Sequence, residues 1–425
     1  MRVLIIGSGG REHAIVTKVA ASPLVDEVHC APGNAGIARQ AVCHSIADSD
    51  IPGILGLTKQ LEPGLVVIGP EAPLCAGLAD TLRDEGFRVF GPGRDAAMLE
   101  GSKAFAKEVM IAAGVPTAGY ARFVEYQIAM THLAAITFPV VVKANGLAAG
   151  KGVIIAEAME EAEDALRTCF IDRSFGDAGL DVLVEECLIG HECSVLALCD
   201  GETILPLEPA QDYKRIYDGD SGPNTGGMGC YSPVPRVPSQ LVDEIIEMVH
   251  RPTVAELARR GIEFRGVLYA GLMLTPDGPR VLEFNTRFGD PETQAILPRL
   301  ENDLVELMIA CAEGSLSEHR LRWKEESCVT VIMASAGYPL SSSKGDVITG
   351  LELDGGLPGV EVYHAGTAEE DSRFVTNGGR VLAISALDRT FTGARKKAYD
   401  AVGKVHYDGM QYRRDIAAEP ARGEG

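Results

Sequence analysis

The spacing of apolar and polar residues changes character along the chain. Over the first hundred residues, short strand-like runs at 3–6, 27–30, 65–68 and 88–90 alternate with stretches of helical spacing, the first from Arg11 to about Ala21. Strand and helix taken in turn predict a parallel, doubly wound layer. A helix is expected from Lys103 to Ala113, with Ser102 as N-cap and Gly114-Val115-Pro116 as its stop. Strand-like segments follow at 139–144, 152–156, 182–186 and 193–198. Residues 211–238, rich in Gly, Asp, Pro and Ser, read as a long ordered loop with little regular structure. Loops of that length in a compact domain are usually functional or disordered. A helix near 240–260 and strands at 266–274 and 280–285 close this region. After Trp323 come short strands and turns (327–334, 360–364, 379–386) and a helix around 392–402. The expected fold class is α/β and α+β multidomain. It comprises an N-terminal doubly wound parallel sheet (1–101), a two-lobed middle domain (102–322), a small C-terminal mixed α/β domain (323–418) and a disordered tail (419–425).

Composition narrows the function. A chain of 425 residues is too long for one compact core. Net charge is −21, from 60 acids against 39 bases, which argues against a nucleic-acid backbone or an anionic membrane surface as partner. A phosphorylated substrate stays open, because a pocket can be locally basic on an acidic protein. The apolar run at 1–6 is too short for a signal peptide, and no stretch approaches the roughly 18 apolar residues of a membrane span. The ten cysteines include no Cys-x-x-Cys pair. Cys187, Cys193 and Cys199 recur every six residues in apolar runs, which on strands would set them on one buried face. The chain reads as cytoplasmic and reduced.

The most informative stretch is 281–292, Val-Leu-Glu-Phe-Asn-Thr-Arg-Phe-Gly-Asp-Pro-Glu. On a strand, Glu283 and Asn285 project from the same face, roughly 7 Å apart. A carboxylate and an amide oxygen side by side, with Arg287 two residues on, suit a hard cation and the phosphate oxygens it neutralises. The polar face of an ordinary strand has the same spacing, so the neighbouring motifs decide.

Gly7-Ser8-Gly9-Gly10 sits between a strand and a helix, but the dinucleotide fingerprint wants a small residue at position 12, where Glu12 stands. It also wants an acid to bind ribose after the second strand, where the chain reads Cys30-Ala31-Pro32-Gly33. A substrate phosphate at the helix start, or a plain tight turn, fits better than NAD. The 143–152 loop, Lys-Ala-Asn-Gly-Leu-Ala-Ala-Gly-Lys-Gly, has three residues between its glycines where a Walker loop has four, and Gly152 follows Lys151 where a hydroxyl is needed. A glycine hairpin folding over a triphosphate accounts for Lys143 and Lys151 in so apolar a stretch, since their charges need anionic partners. In the long loop, Lys214, Arg215 and the glycine-rich 222–229 segment mark either a ligand site or a solvated surface.

Taken together these residues resemble a known family. The set is Gly7-x-Gly9-Gly10-Arg11-Glu12-His13-Ala14, Pro32-Gly33-Asn34-Ala35-Gly36, Gly69-Pro70-Glu71-Ala72-Pro73-Leu74, Glu100-Gly101-Ser102-Lys103-Ala104-Phe105, and the 143–152, 224–229 and 283–293 segments. It is similar, in order from residue 1 to about 418, to the phosphoribosylamine–glycine ligases, or glycinamide ribonucleotide synthetases, which are ATP-grasp enzymes of purine biosynthesis. The resemblance implies an ATP-grasp core over 102–322. The implied reaction is ATP with glycine and 5-phosphoribosylamine, through glycyl phosphate, to glycinamide ribonucleotide, ADP and phosphate. It further implies Mg²⁺, or Mn²⁺ in its place, small-molecule partners and a transient contact with the enzyme that supplies phosphoribosylamine.

Residue by residue, the resemblance implies that Lys103, Lys143, Gly150, Lys151 and Gly152 hold ATP phosphates, that Glu185, Glu186 and Leu188 hold adenine, and that Glu192 binds ribose. Glu283 and Asn285 would take the metal. Arg287 would lie by the transferred phosphoryl group or the glycine carboxylate. Asp212, Lys214 and Asp290, with Asn224, Thr225, Gly226 and Gly227, would orient glycine and the amine. Gly9, Gly10, Arg11 and Asn34 would bind the phosphoribosyl group. The chain departs from the family in Asn145, where Asp is common, in His191 and Cys230, and in the strand 267–274, which lacks a metal-binding acid. Only two protein ligands to the ion are therefore expected. The rival readings are an ATP-grasp enzyme with another acid or amine, a non-catalytic nucleotide-binding protein and, last, a dehydrogenase.

Overall fold

A computed structural model describes residues 1–147 and 152–424. The N-terminal sheet is wholly parallel, in the order Val42–Cys43, Glu27–Pro32, Arg2–Gly7, Leu65–Ile68, Val89–Phe90. Its central strands are continuous apolar runs because helices cover both faces. The order reverses at Arg2–Gly7, so the crevice beyond the carboxyl ends of the strands opens beside the glycine loop at 7–10.

The middle region has two lobes. The outer one is an antiparallel sheet in the order Tyr120–Phe123, Val182–Glu186, Val140–Ala144, Val153–Ala156. Helices Tyr126–Leu133 and Met159–Phe170 close its apolar face through Leu133, Val142, Leu166 and Val184. The inner sheet runs Ile204–Pro206, His191–Asp200, Arg265–Thr275, Gly278–Asn285. Alternation along His191–Asp200 sends Val195 and Ala197 towards the helical run 239–259 and Leu196 and Leu198 towards helix Leu304–Glu313.

Four expectations change in the structure. Residues 211–238 are not a loop without regular structure: they hold strands Gln211–Asp212, Arg215–Tyr217, Ser221–Asn224 and Gly229–Ser232. Two of these form the edge of the C-terminal sheet, ordered Gln211–Asp212, Gly229–Ser232, Ser327–Ala334, Arg380–Asp388, Glu361–His364. Strands of two to four residues carry no legible period, and the partner of Gly229–Ser232, at 327–334, is remote in sequence. The expected boundary at 322/323 is thus crossed by one sheet. Residues 419–424 of the tail are not disordered either. Helix Ala418–Arg422 packs through Ala421, and the Glu424 carboxylate accepts the N–H groups of Phe391 (2.7 Å) and Thr392 (3.0 Å), capping helix Phe391–Val402. Finally, Cys193 and Cys199 share a buried strand face as expected, but Cys187 lies beyond its strand and is only half-buried.

Three buried histidines set an acid limit on stability. Burial, and then the neighbouring His364, pull His13 down to about 3; burial pulls His250 and His364 to about 4. Below pH 6.5 the unfolded chain takes up protons that the native state refuses, so stability present above pH 6.5 is lost as pH falls towards 4. Each ring contributes up to about 1.4 kcal/mol per pH unit in that window. The urea midpoint is therefore expected to fall steadily between pH 7 and pH 5, and a flat midpoint would overturn this account.

Candidate active site

Between the two lobes lies a cleft of about 1110 Å³. Strand Gly278–Asn285 forms its floor, and alternation there continues into the following turn. Glu283, Asn285 and Arg287 face the cleft, while Phe284, Thr286 and Phe288 are buried. Gly271 stands opposite Glu283 in the neighbouring strand, beside a bulge at Gly271/Leu272. Burial works against ionisation of Glu283, but Lys214, Lys143, Lys103 and Arg287 outweigh it and hold the carboxyl below its ordinary range. Lys214 lies 3.8 Å away. The Asn285 amide oxygen accepts from Arg287 at 3.3 Å.

Arg287 is itself gripped by two acids that sequence reasoning did not single out, Glu71 (3.2 Å) and Glu100 (2.6 Å). Against the cost of burial, Arg287 and then Arg11 draw Glu71 down to about 2, whereas burial pushes Glu100 up. Both acids lie in the 69–74 and 100–105 motifs, which was the available signal, but their partner is more than 180 residues away.

On the outer lobe, the Lys143 ammonium reaches Glu185 at 3.0 Å and donates to the Leu282 carbonyl at 3.0 Å. Lys107, a further residue missed by the sequence, meets the same Glu185 oxygen at 3.1 Å. Glu185 is 2 % exposed, and its other oxygen, Oε1, has no partner among the described residues. Lys103 donates to the Gly146 carbonyl at 3.0 Å; burial lowers its pKa although Glu283 opposes this. Gly152, Leu188 and Glu192 line the cleft, with Glu192 3.3 Å from Lys214. Glu186 also lines it, but its carboxylate pairs with Arg280 at 3.0 Å and accepts the Gly119 N–H. Gly150 and Lys151 lie outside the described residues. Asn145 explains itself: its amide N–H₂ donates to Asp181 at 2.6 Å while its oxygen accepts from Ser102 and Ala104, both at 3.1 Å. An aspartate there would set two carboxylates against each other.

The far wall carries Asp212, Lys214 and the 224–229 turn. Burial works against the Lys214 charge, but Glu192, Asp212 and Glu283 hold its pKa well above the ordinary value. Burial pushes Asp212 up, with Glu292 adding and Lys214 opposing. Glu292, also missed, accepts from Tyr269 (3.0 Å) and Ser194 (3.2 Å). Asn224, Thr225 and Gly226 line the cleft, and Gly227 does not. Gly227 has φ +105°, and a Cβ on it would strike the Pro291 ring at 2.4 Å, so it packs the turn against the 290–292 corner. Arg380 from the C-terminal sheet clamps this corner. It pairs with the Asp290 carboxylate at 3.0 Å and donates to the carbonyls of Asp290 (2.9 Å) and Gly226. Burial notwithstanding, Arg380 and then Arg11 keep Asp290 ionised below the usual range.

Asp290 and Arg380 also line a second cavity of about 300 Å³, between the N-terminal glycine loop and the C-terminal turns at 365–367 and 377–379. The four residues expected around the phosphoribosyl group separate here. Gly9 lines the small cavity, but its N–H is taken by Glu12 at 2.6 Å. Gly10 is buried against Gln294. Arg11 is tied to Glu12 (2.5 Å) and to the Phe288 carbonyl (3.2 Å), and it borders the large cleft instead. Asn34 lines the small cavity, yet its amide is consumed: it donates to the carbonyls of Ser8 and His364 and accepts from Gly36 and Ile37. Glu12 also fills the space over the turn, since a Cβ on Gly7 or Gly69 would lie within 2.6 Å of it. That is the physical reason the dinucleotide reading fails.

Comparison with known proteins agrees with this layout. Family models of phosphoribosylglycinamide synthetase match as the N domain over residues 1–100, the ATP-grasp (A) domain over 101–293 and the C domain over 328–419. The chain is 49 % identical to the phosphoribosylamine–glycine ligase of Brucella melitensis over 98 % of its own length and 97 % of that protein. It is 50 % identical to that of Streptomyces coelicolor, over 99 % and 100 %. The crystal structure of the Thermotoga maritima phosphoribosylamine–glycine ligase superposes with a TM-score of 0.85 at 36 % identity, covering 98 % of this chain and all of that one. The chain belongs to the phosphoribosylglycinamide synthetase family.

Proposed function

We propose that this chain is an ATP-dependent ligase that joins glycine to 5-phosphoribosylamine, giving glycinamide ribonucleotide, ADP and phosphate by way of glycyl phosphate. The observation that carries the reading is the convergence of Lys103, Lys143, Glu283, Asn285 and Arg287 on one cleft, with Asp290 and Arg380 shared between that cleft and the smaller cavity.

ATP lies in the cleft with its adenine along 185–188, where the buried Glu185 Oε1, without a partner among the described residues, is suited to accept an amino N–H. Lys103 and Lys143 reach the phosphates. The paired oxygens of Glu283 and Asn285 suit Mg²⁺, or Mn²⁺, as a hard ion that keeps several waters. When bound, that ion neutralises charge on the phosphate oxygens. The glycine carboxylate attacks the γ-phosphorus, the bond to the β-phosphate oxygen breaks, and ADP leaves. Arg287, fixed by Glu71 and Glu100, holds the carboxylate in line, since phosphoryl transfer rests on positioning and charge neutralisation. The amine then attacks the acyl carbonyl, phosphate departs and the nitrogen loses a proton. The ionised Asp290 accepts an N–H bond from that amine and orients it. The phosphoribosyl group occupies the small cavity.

The test is ADP release by the purified protein with Mg–ATP and freshly generated phosphoribosylamine, with and without glycine. Release is expected only with both co-substrates, and glycinamide ribonucleotide should appear by mass spectrometry. ATP binding without ADP release under those conditions would overturn the acceptor assignment.

A further inference from the structure

Arg413 is a buried, fully engaged cation outside the residues that line the cleft. Its side chain is 1 % exposed. The guanidinium makes a two-pronged pair with Asp415 (2.7 and 2.6 Å), reaches Asp220 at 2.6 Å, donates to the Arg215 carbonyl at 3.1 Å and lies 4.7 Å from the centre of the Tyr213 ring. Tyr213 and Arg215 are the chain neighbours of Lys214. The same segment touches this region three more times. The Ala417 N–H donates to the Tyr213 hydroxyl (3.0 Å), the Gly219 N–H donates to Asp415 (2.9 Å), and the Arg414 N–H donates to Asp218 (2.6 Å).

The segment is anchored from behind as well. The Tyr399 hydroxyl donates to the Arg413 carbonyl at 2.7 Å, and Arg395 donates to the Ile416 carbonyl at 3.0 Å. Asp415, Ala418 and Glu419 line the cleft, so the end of the chain forms part of its wall.

We propose that Arg413 is a positioning residue for Lys214, gripping both chain neighbours of that lysine so that its ammonium stays between Glu192 and Glu283. This rests on the reading of the cleft as the ATP site. Lys214 is 3.3 Å from Glu192 and 3.8 Å from Glu283. If it drifts, two carboxylates face the triphosphate with less compensation, and ATP suffers. The amine substrate, in the small cavity that Lys214 does not line, is spared, which sets Lys214 by ATP and not by the amine that the resemblance implied.

The experiment compares Arg413→Lys and Asp220→Asn with the full-length wild type. Lysine keeps the charge but cannot span Asp415, Asp220 and the Arg215 carbonyl together. Asp220 is 69 % exposed and has φ +51°, a conformation that asparagine tolerates, so this second variant keeps the fold if the first does not. ATP affinity by calorimetry is expected to weaken about tenfold in Arg413→Lys and about threefold in Asp220→Asn, with kcat falling alongside and KM for phosphoribosylamine within about twofold. A purely structural role would instead lower the melting temperature and the folded fraction while leaving ATP affinity unchanged. ATP affinity within about twofold of wild type in a folded variant would overturn the proposal. Should the wild type release no ADP with both co-substrates, the reading of the reaction falls, and the ATP titration still decides the role of Arg413.

Discussion

Glu283→Gln is expected to cut kcat by about a thousandfold or more while leaving the fold intact. The side chain lies on the cleft floor and is partly exposed, so glutamine opens no cavity and orphans no buried partner. What changes is charge. Lys214, Lys143, Lys103 and Arg287 all act on this one carboxylate, and together they hold it ionised against burial. Its removal takes away the only acid on the strand face shared with Asn285, and with it the charged member of the proposed metal-ligand pair. The same change strips a negative charge from beside the triphosphate. Binding of ATP without divalent ion should therefore be as tight as in wild type or tighter, while the gain on adding Mg²⁺ shrinks. Calorimetry with and without Mg²⁺, beside turnover and a melting curve, separates these effects. Turnover within about tenfold of wild type at saturating Mg²⁺ would sink the assignment of Glu283.

Much of this geometry was legible because it is local. The run 65–68 is apolar throughout, 182–186 and 327–334 are rich in β-branched and apolar residues, and the strands match those bounds. The facing of Glu283, Asn285 and Arg287 follows from strand alternation alone. Non-local pairing was the limit. The glycine-rich 222–229 segment looks like loop because Ser221–Asn224 pairs with only three residues, Arg215–Tyr217, while Gly229–Ser232 pairs with the remote Ser327–Ala334, and the tail looks disordered because Glu424 and Ala421 find their partners only in the folded chain. Motifs likewise disclosed Glu71, Glu100 and Asn34 without disclosing whom they bind. Asn34 carries the sharper lesson: a motif asparagine beside a cavity can spend its whole amide on backbone groups and have none left for a ligand. Arg380 carried no local signal at all, since its role comes from reaching across a domain to Asp290.

Lys143→Ala is expected to weaken ATP binding about a hundredfold, through the loss of charge-assisted bonds to phosphate, and to change KM for glycine by no more than about threefold. The neighbourhood adds a second consequence. Lys143 shares Glu185 with Lys107, and one Glu185 oxygen already has no partner among the described residues. Removing one partner of a buried pair costs about 3–5 kcal/mol when the remaining charge is left alone. Here Lys107 stays at 3.1 Å, so the loss should fall at or below the lower end of that range, and the variant should fold with a lower melting temperature. Lys107→Ala provides the contrast. Its ammonium is also held by the Thr117 hydroxyl (2.9 Å) and the Ala118 carbonyl (3.1 Å), so its removal should lower stability by a similar amount with a smaller effect on ATP. Saturating ATP should raise the melting temperature of wild type and of Lys107→Ala, and far less that of Lys143→Ala, because only a ligand that still binds can stabilise by mass action. If Lys143→Ala instead raised KM for glycine and left ATP affinity untouched, this lysine would serve the acceptor, and the phosphates would have to be placed beside Lys103 alone.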